Sequence, residues 1–270
     1  MIFSKVVIII AIYTPIILPQ ITIKDIPLPD SSFTRKTVEK GSFGEWLRER
    51  KLKPCGSYVM DYSGKIRKKA SDTTVAYVME MDVLGRRLEQ CIDILVRLYA
   101  EYSWDSMQKH NLIFPLPGGF WLEWLSWQEG FRPQFRGIKV NLIKSQLRDS
   151  SFANLETYLR TIYLKSHTQQ FYYSYELIDF YEINIGDFVV KKGTKSHAIL
   201  ILDLAKNDSG NLYALIGHGD TPACEFHILN YQKNNVWFPI SKKQNIIPLP
   251  LRRKMSWDGL RRFSLRKARS

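Results

Sequence analysis

The sequence predicts an α+β domain in which an antiparallel β-sheet packs on one amphipathic helix that carries a cysteine. The helix is predicted over residues 86–101, where apolar side chains recur every three or four residues and Cys91 is on the apolar face. Asp82 and Gly85 stand just before it as start signals. The sheet is predicted from residue 183 onward, where apolar runs of strand length alternate with turn residues.

The first 20 residues are predicted to be a signal peptide or an N-terminal anchor. Lys5 precedes an apolar run that is shorter than the ~20 residues of a membrane-spanning helix. A buried first strand is the alternative. Residues 21–34, with Pro27 and Pro29, are expected to form a linker, followed by a single domain over residues 35–251. We therefore expect an exported protein that is periplasmic or membrane-associated at the cell envelope.

Within that domain, further elements follow from local patterns. Helices are expected at residues 42–52 and 151–164, and strands at residues 58–62 and 74–81. Residues 104–145 are rich in aromatic side chains, which either form ordinary core or line a substrate cleft. The strands of the main sheet are expected at residues 187–191, 197–204, 211–217, 225–229 and 236–240.

The charge is strongly basic and unevenly distributed. The formal net charge is +13 and the isoelectric point is about 9.6. Residues 252–270, expected to be a basic C-terminal tail or amphipathic helix, hold eight basic side chains against Asp258 alone, a net charge of +7. This segment is either a solvated tail or a contact for an anionic envelope surface. No basic-aromatic recognition motif occurs, so a nucleic-acid partner is not expected.

Three cysteines are present, namely Cys55, Cys91 and Cys224. An odd number leaves at least one thiol unpaired in an exported protein, and a Cys55–Cys224 bridge is left open. No metal-ligand spacing occurs, and Cys224 and His227 should face opposite sides of a strand. No P-loop, GxGxxG, HExxH or GxSxG motif occurs, so neither a metal nor a cofactor is expected.

The residues with chemical potential are Cys91, His197 and His218. An apolar strand has no structural need for an imidazole at its head, where His197 stands. If the hairpin turn is centred between Asn207 and Asp208, residues whose numbers add to 415 are directly opposed, and His197 pairs with His218. One imidazole can then act as a base while the other orients it, and a thiol near a helix start is the matching nucleophile.

The residues Glu89–Asp93, Gly186–Val190 and Ser196–Ala198 carry a resemblance to the NlpC-type and CHAP-type cysteine peptidases and amidases. Those papain-like enzymes carry a catalytic cysteine at a helix start, then a histidine on a strand, then a third polar residue on the next strand. The resemblance implies a papain-like sheet packed on the cysteine-bearing helix, with extra N-terminal and middle helical and aromatic segments. It assigns Cys91 as nucleophile, His197 as base and His218 as the orienting residue.

Most of the chain, over residues 35–265, also resembles the bacterial family named domain of unknown function 4846. The carrying residues include Ser42–Arg48, Gln90-Cys91, the Gly186-Asp187 strand and His197–Leu204. These observations predict an exported cysteine hydrolase that cleaves an amide or ester bond in a peptide or peptidoglycan-like substrate. The backbone N–H of Cys91, helped by Gln90, would stabilise the oxyanion. The alternative is a non-catalytic envelope-binding module on the same fold, and the oligomeric state is left open.

Overall fold

The computed structural model describes residues 20–232 and 235–267. The predicted signal peptide or anchor lies outside these residues, apart from Gln20. Among the described residues five α-helices form: α1 Phe43–Arg48, α2 Cys91–Asp105, α3 Trp124–Gln128, α4 Phe152–Lys165 and α5 Thr168–Ser174. None of these helices is long and apolar enough to cross a membrane.

Sixteen strands form in the same part of the chain. They are β1 Phe33–Arg35, β2 Val59–Met60, β3 Ile66–Lys68, β4 Val75–Val78, β5 Ile113–Leu116, β6 Phe120–Glu123, β7 Phe131–Arg136, β8 Lys139–Lys144, β9 Phe188–Lys191, β10 His197–Asn207, β11 Leu212–His218, β12 His227–Leu229, β13 Trp237–Ile240, β14 Ile246–Ile247, β15 Met255–Ser256 and β16 Leu260–Arg261.

Eight of these strands form one antiparallel sheet in the order β16-β9-β10-β11-β12-β4, with β1 added on β10 and β13 added on β11. The central strand β10 is buried from His197 to Ala205, which explains its continuous apolar run in place of the alternation of a half-exposed strand. Helix α2 packs against β10 and β11. The predicted α+β class with an antiparallel sheet on the cysteine-bearing helix is confirmed.

Helix α2 begins five residues later than the sequence predicts. Residues 86–90 form turns in which the Gln90 N–H donates to the Leu88 carbonyl oxygen, at 2.8 Å. Apolar spacing continues through Leu88, so periodicity alone extends the helix too far. Gln90 has extended backbone angles (φ −81°, ψ −162°) and is the N-cap, which makes Cys91 the first helical residue.

The register of the β10–β11 hairpin also differs from the prediction. Near the turn, Lys206 is opposite Leu212, so the paired numbers add to 418 and not 415. A β-bulge between Ile201 and Asp203 then changes the sum to 417 at Leu200. His197 and His218 are therefore not directly opposed.

The segments expected to be a linker and a tail both contribute to the hydrophobic core. Ile23, Ile26 and Phe33 are buried on the N-terminal side, and β1 pairs with β10. On the C-terminal side, β16 pairs with β9, and the buried ring of Phe263 stacks on Tyr99. The amphipathic helix expected within residues 252–270 does not form in the described residues 252–267, because strand pairing takes its place.

The Gly186-Asp187 pair has a structural explanation. Gly186 has φ +89°, and a Cβ atom there would lie 2.6 Å from the Phe43 ring. The buried Asp187 carboxylate accepts hydrogen bonds from the Arg262 guanidinium at 2.6 and 2.9 Å. This ion pair ties the C-terminal segment to the start of β9.

The aromatic residues at 104–145 mainly form core. Trp121, Trp124 and Trp127 are buried, and the rings of Trp124 and Trp127 contact Tyr158 of α4 edge-on. The Tyr158 hydroxyl lies within hydrogen-bond distance of two carbonyl oxygens, that of Leu112 just before β5 at 3.1 Å and that of Leu122 within β6 at 2.8 Å. This region therefore holds α4 against the β5–β6 hairpin.

Candidate functional site

Cys91 lies at the N-terminus of α2. The Gln90 backbone N–H donates to the Asp93 carboxylate at 3.2 Å, which anchors the cap. As the first helical residue, Cys91 has a backbone N–H with no acceptor inside the helix. The positive end of the helix dipole is at this point, so the position favours negative charge on a nearby group.

The Cys91 sulfur faces the beginning of β10. It lies 3.7 Å from the hydroxyl oxygen of Thr168, the first residue of α5. The backbone N–H groups of Ile92 and Ala198 also interact with it. Because Ala198 directly follows His197, the sulfur is adjacent to the strand that carries the imidazole.

Burial dominates the ionisation of this thiol. Cys91 is 4 % exposed. Burial away from water raises its pKa, and the negative charge of Asp93 raises it further. The Thr168 hydroxyl and the two backbone N–H groups lower it. The net pKa is above the ordinary value of a thiol. At neutral pH the free protein therefore holds Cys91 as a thiol.

His197 and His218 are hydrogen-bonded, with His197 Nε2 2.9 Å from His218 Nδ1. Their ring centroids are 5.0 Å apart and the planes meet at 78°. Continued from Leu200 and Gly217, the register puts His197 diagonal to His218, two residues from direct opposition, so both side chains emerge on one face. The predicted neighbourhood of the two imidazoles is confirmed, although the predicted register is wrong.

Both imidazoles are held in their neutral form. Burial lowers the pKa of His197 to about 4; the Arg253 guanidinium also lowers it, while Asp220 opposes the change. Burial likewise lowers the pKa of His218 well below its usual range. At neutral pH the described state therefore contains a neutral thiol and neutral imidazoles, and not a thiolate–imidazolium pair.

Arg253 covers the second nitrogen of His197. Its Nη1 lies 3.5 Å from His197 Nδ1 and 2.9 Å from the Asp220 carboxylate. Asp220 also forms an ion pair with Arg67 at 3.2 Å. Because His197 is 0 % exposed, a substrate reaches Nδ1 only if this arginine moves.

Gln90 lies beside the same cluster. Its side-chain oxygen accepts a hydrogen bond from the Thr221 hydroxyl at 3.1 Å, one residue from Asp220. This contact engages the oxygen end of the amide and leaves the Nε2 end as a hydrogen-bond donor. The position is compatible with the oxyanion role expected of Gln90.

Sequence reasoning missed His227, which extends the histidine pair. His227 is directly opposite His218 in the β11–β12 ladder, and the ring centroids are 4.5 Å apart. Its Nδ1 lies 2.9 Å from the Glu225 carbonyl oxygen. The missed signal was a second hairpin, since residues 219–226 connect two short strands that each carry a histidine.

The structure brings the three assigned residues together incompletely. His197 and His218 are bonded, and the Cys91 sulfur lies at the adjacent Ala198 N–H. Among the described residues, however, no hydrogen bond joins the sulfur to the His197 imidazole, and Thr168 is the side-chain partner of the sulfur. His197 Nδ1 faces Arg253 Nη1 instead, at 3.5 Å.

The two other cysteines, Cys55 and Cys224, are not joined by a disulfide. All three cysteines are free thiols, with Cys55 exposed and Cys224 buried. Arg97 forms ion pairs with Glu89 at 2.8 Å and Glu101 at 2.7 Å. Across residues 20–232 and 235–267, no group of three or more His, Cys, Asp or Glu residues is placed to hold a metal ion.

Comparison with known proteins gives one family-level result. The model of the family described as Domain of unknown function (4846) matches residues 23–256. No curated protein and no solved structure matches the chain.

Proposed function

Because the chain belongs to the family of domain of unknown function 4846, whose description states no activity, we propose a function from the site itself: a papain-like cysteine hydrolase that cleaves an amide or ester bond. The observation that carries the proposal is the position of Cys91. Its sulfur lies at the first turn of a helix and next to the strand whose His197 is bonded to His218. The proposal assigns Cys91 as nucleophile, His197 as base and His218 as orienting group, and it requires the His197 imidazole to come within reach of the sulfur.

In the proposed mechanism, His197 Nδ1 removes the proton of Cys91 as the sulfur attacks the substrate carbonyl carbon. The resulting oxyanion is stabilised by the Cys91 backbone N–H and the Gln90 amide. When the C–N bond breaks, the imidazolium of His197 returns its proton to the leaving amine, and a thioester remains. Water, deprotonated by His197, then hydrolyses the thioester and restores the thiol. His218 holds the His197 ring through the 2.9 Å bond.

Access to the site is part of the proposal. Cys91 and His197 are almost fully buried, and Arg253 lies against the nitrogen that has to act as the base. The Arg253 side chain is 27 % exposed, so it can turn towards solvent when substrate enters. The described state is then the closed, resting form of the enzyme.

The proposed substrate is a peptide of the cell wall, and the proposed location is the periplasm or the envelope membrane. Support comes from the sequence alone, through the signal-like residues at the N-terminus. Purified peptidoglycan fragments are therefore the first substrates to test.

The decisive experiment incubates the purified protein with peptidoglycan fragments and follows peptide release by mass spectrometry. We expect release by the parent protein and its loss in the Cys91→Ser and His197→Ala variants, with both variants retaining the parent circular dichroism spectrum. A Cys55→Ser variant is the matched control, because it removes a free thiol that is exposed and not at the start of α2. Release that persists in Cys91→Ser would contradict the proposal.

A second candidate function is binding to an anionic envelope surface. A groove of about 880 Å³ is lined by five basic residues and, within the described chain, by no acidic one. The basic residues are Arg35, Lys36, Lys206, Lys242 and Lys243. Arg35 and Lys242 of this groove also pair with Asp203 and Asp179, and Lys36 donates to the Ile183 carbonyl oxygen. Arg253, Arg261 and Arg262 of the C-terminal segment are likewise engaged in contacts within the fold.

Vesicle sedimentation separates the two functions. If the groove binds an anionic surface, phosphatidylglycerol vesicles should retain the protein and phosphatidylcholine vesicles should not. Binding should weaken in a Lys242→Ala, Lys243→Ala double variant and persist in Cys91→Ser. Equal retention on both lipids would exclude this function for the groove.

A further inference from the structure

Two buried nitrogen atoms at the site have no hydrogen-bond partner in the described part of the chain. They are Nε2 of His218 and Nε2 of His227. Both residues are at most 1 % exposed, and their rings are neighbours across the β11–β12 ladder, with centroids 4.5 Å apart. A buried imidazole nitrogen without a hydrogen-bond partner destabilises the fold. Which of these two nitrogens carries a hydrogen therefore affects the stability of the whole histidine cluster.

At one end of the histidine cluster, the contact with Arg253 determines which nitrogen of His197 carries the hydrogen, and hence which nitrogen of His218 does. A guanidinium can only donate hydrogen bonds, so His197 Nδ1, 3.5 Å from Arg253 Nη1, presents its lone pair. A neutral His197 then carries its hydrogen on Nε2 and donates it to His218 Nδ1 at 2.9 Å. His218, also neutral, must carry its own hydrogen on Nε2.

The opposite end determines the tautomer of His227 independently. The Glu225 carbonyl oxygen can only accept, so His227 Nδ1, 2.9 Å away, carries the hydrogen. Burial lowers the pKa of His227 to about 4, so its Nε2 carries a lone pair at neutral pH. The two partnerless nitrogens are thus a donor on His218 and an acceptor on His227.

We propose that His227 is a positioning residue: the lone pair on its Nε2, in a ring that lies against the His218 ring without a hydrogen bond to it, acts electrostatically to fix the tautomer of His218 and, through it, that of His197. The lone pair on His227 Nε2 favours the hydrogen on His218 Nε2. His218 Nδ1 is then free to accept from His197, and His197 Nδ1 is left as the base. The role in catalysis rests on the proposed function, whereas the tautomer of each ring does not.

A competing arrangement is defined by the Gly219 carbonyl oxygen, which also interacts with the His218 ring. If His218 Nδ1 carried the hydrogen and donated it to Gly219, His197 Nε2 would become the acceptor. His197 Nδ1 would then bear a hydrogen that points at Arg253, two donors facing each other, and could not act as a base. The two arrangements give opposite protonation of His197 and His218.

Nitrogen-15 NMR of the full chain at pH 7 measures the tautomers without any substrate. We expect the Nε2–H form for His197 and His218 and the Nδ1–H form for His227. The Nδ1–H form at His218 would overturn the proposal. Because no turnover is measured, this result stands even if the hydrolase assignment fails.

A matched pair of variants tests the influence of His227 on its neighbours. His227→Gln can keep an acceptor oxygen near the position of Nε2, whereas His227→Phe fills the space without an acceptor. We expect the His197 and His218 tautomers to be retained in His227→Gln and mixed in His227→Phe. Unchanged tautomers in a folded His227→Phe would overturn the proposal.

With peptidoglycan fragments as substrate, kcat should fall by at least about tenfold in His227→Phe and recover largely in His227→Gln, with little change in KM. An equal fall in both variants would point to a purely structural role for His227. If the parent protein shows no activity, only the hydrolase proposal is overturned, because the NMR measurement does not depend on turnover.

Discussion

His197 and His218 share a 2.9 Å hydrogen bond although their backbones are not directly opposed. The hairpin begins in a register in which the paired numbers add to 418, and that register would put His197 and His218 on opposite faces. The bulge at Leu202 removes one residue from the pairing and restores them to one face. The candidate site thus depends on an irregularity five residues away from His197.

Asp203, the first residue after this bulge, is predicted to be essential for stability. It is fully buried and binds Arg35 and Arg48, with Arg48 Nη2 at 2.6 Å. Asp203→Asn leaves both guanidinium groups without their counter-charge, so we expect the free energy of unfolding to fall by about 3 kcal/mol in urea titrations. The exposed Asp208→Asn is the control and should change it by less than about 0.5 kcal/mol. Equal effects of the two substitutions would contradict this view of Asp203.

Much of this arrangement follows from local patterns. Apolar periodicity predicts the helix that bears Cys91, and the turn at residues 206–210 predicts the hairpin. The predicted sum of 415 is two less than the observed 417 at Leu200, and an even error preserves the face of every side chain. The prediction that His197 and His218 are neighbours is therefore correct although the predicted register is wrong.

Other features depend on contacts that no local pattern contains. The start of α2 at Cys91 follows from the Gln90 cap and its bond to Asp93, which periodicity does not detect. Arg253 reaches His197 from a segment 56 residues further along the chain. His227 joins the cluster through β12, a strand of only three residues.

Arg253 is predicted to control the basicity of His197. Its charge lowers the pKa of His197, second in effect only to burial. Arg253→Gln should therefore raise that pKa from about 4, which a pH titration of the ring C–H signals by NMR would measure. Arg253→Lys keeps the charge and should leave the pKa closer to the parent value.

The neighbouring Arg252→Gln provides the control for net charge, because Arg252 is exposed. It should leave the titration of His197 unchanged. A titration that is identical in Arg253→Gln and Arg252→Gln would show that the contact at 3.5 Å has no electrostatic effect.

The reactivity of Cys91 is predicted to rise with pH. Burial raises the thiol pKa, so the thiolate is scarce at pH 6 and labelling by iodoacetamide should accelerate into the alkaline range. The measurement uses a Cys55→Ser background to remove the exposed thiol. Burial raises the pKa of Cys224 to about 12, so Cys224 should contribute little label.

Thr168 provides the matched variants for this measurement. Its hydroxyl, 3.7 Å from the sulfur, lowers the pKa of Cys91. Thr168→Val removes the hydroxyl at similar size and should slow labelling at a given pH, while Thr168→Ser should retain the parent rate. Rapid labelling of Cys91 at pH 6 in the parent would show that a thiolate–imidazolium pair already exists in the free protein.

The buried histidines are predicted to make the fold sensitive to acid. The folded-state pKa of His227 is about 4, below the unfolded value, so the unfolded chain binds protons first as the pH falls. The stability that His227 contributes is present above pH 6.5 and is lost as the pH falls towards 4. Linkage gives a loss of about 2 kcal/mol from this one group between pH 7 and pH 5.

His227→Gln isolates this contribution from opposing ones. Burial raises the pKa of Asp93 to about 8, so Asp93 acts in the opposite sense on acidification, but it is present in both proteins and cancels in their difference. Urea titrations at pH 7 and pH 5 should therefore show a loss of stability that is about 2 kcal/mol smaller in His227→Gln than in the parent. The exposed His110→Gln should behave as the parent does. If His227→Gln loses as much stability between pH 7 and pH 5 as the parent does, the His227 of the parent must bind its proton in the folded state near pH 6. That would require water to reach a ring that is 0 % exposed.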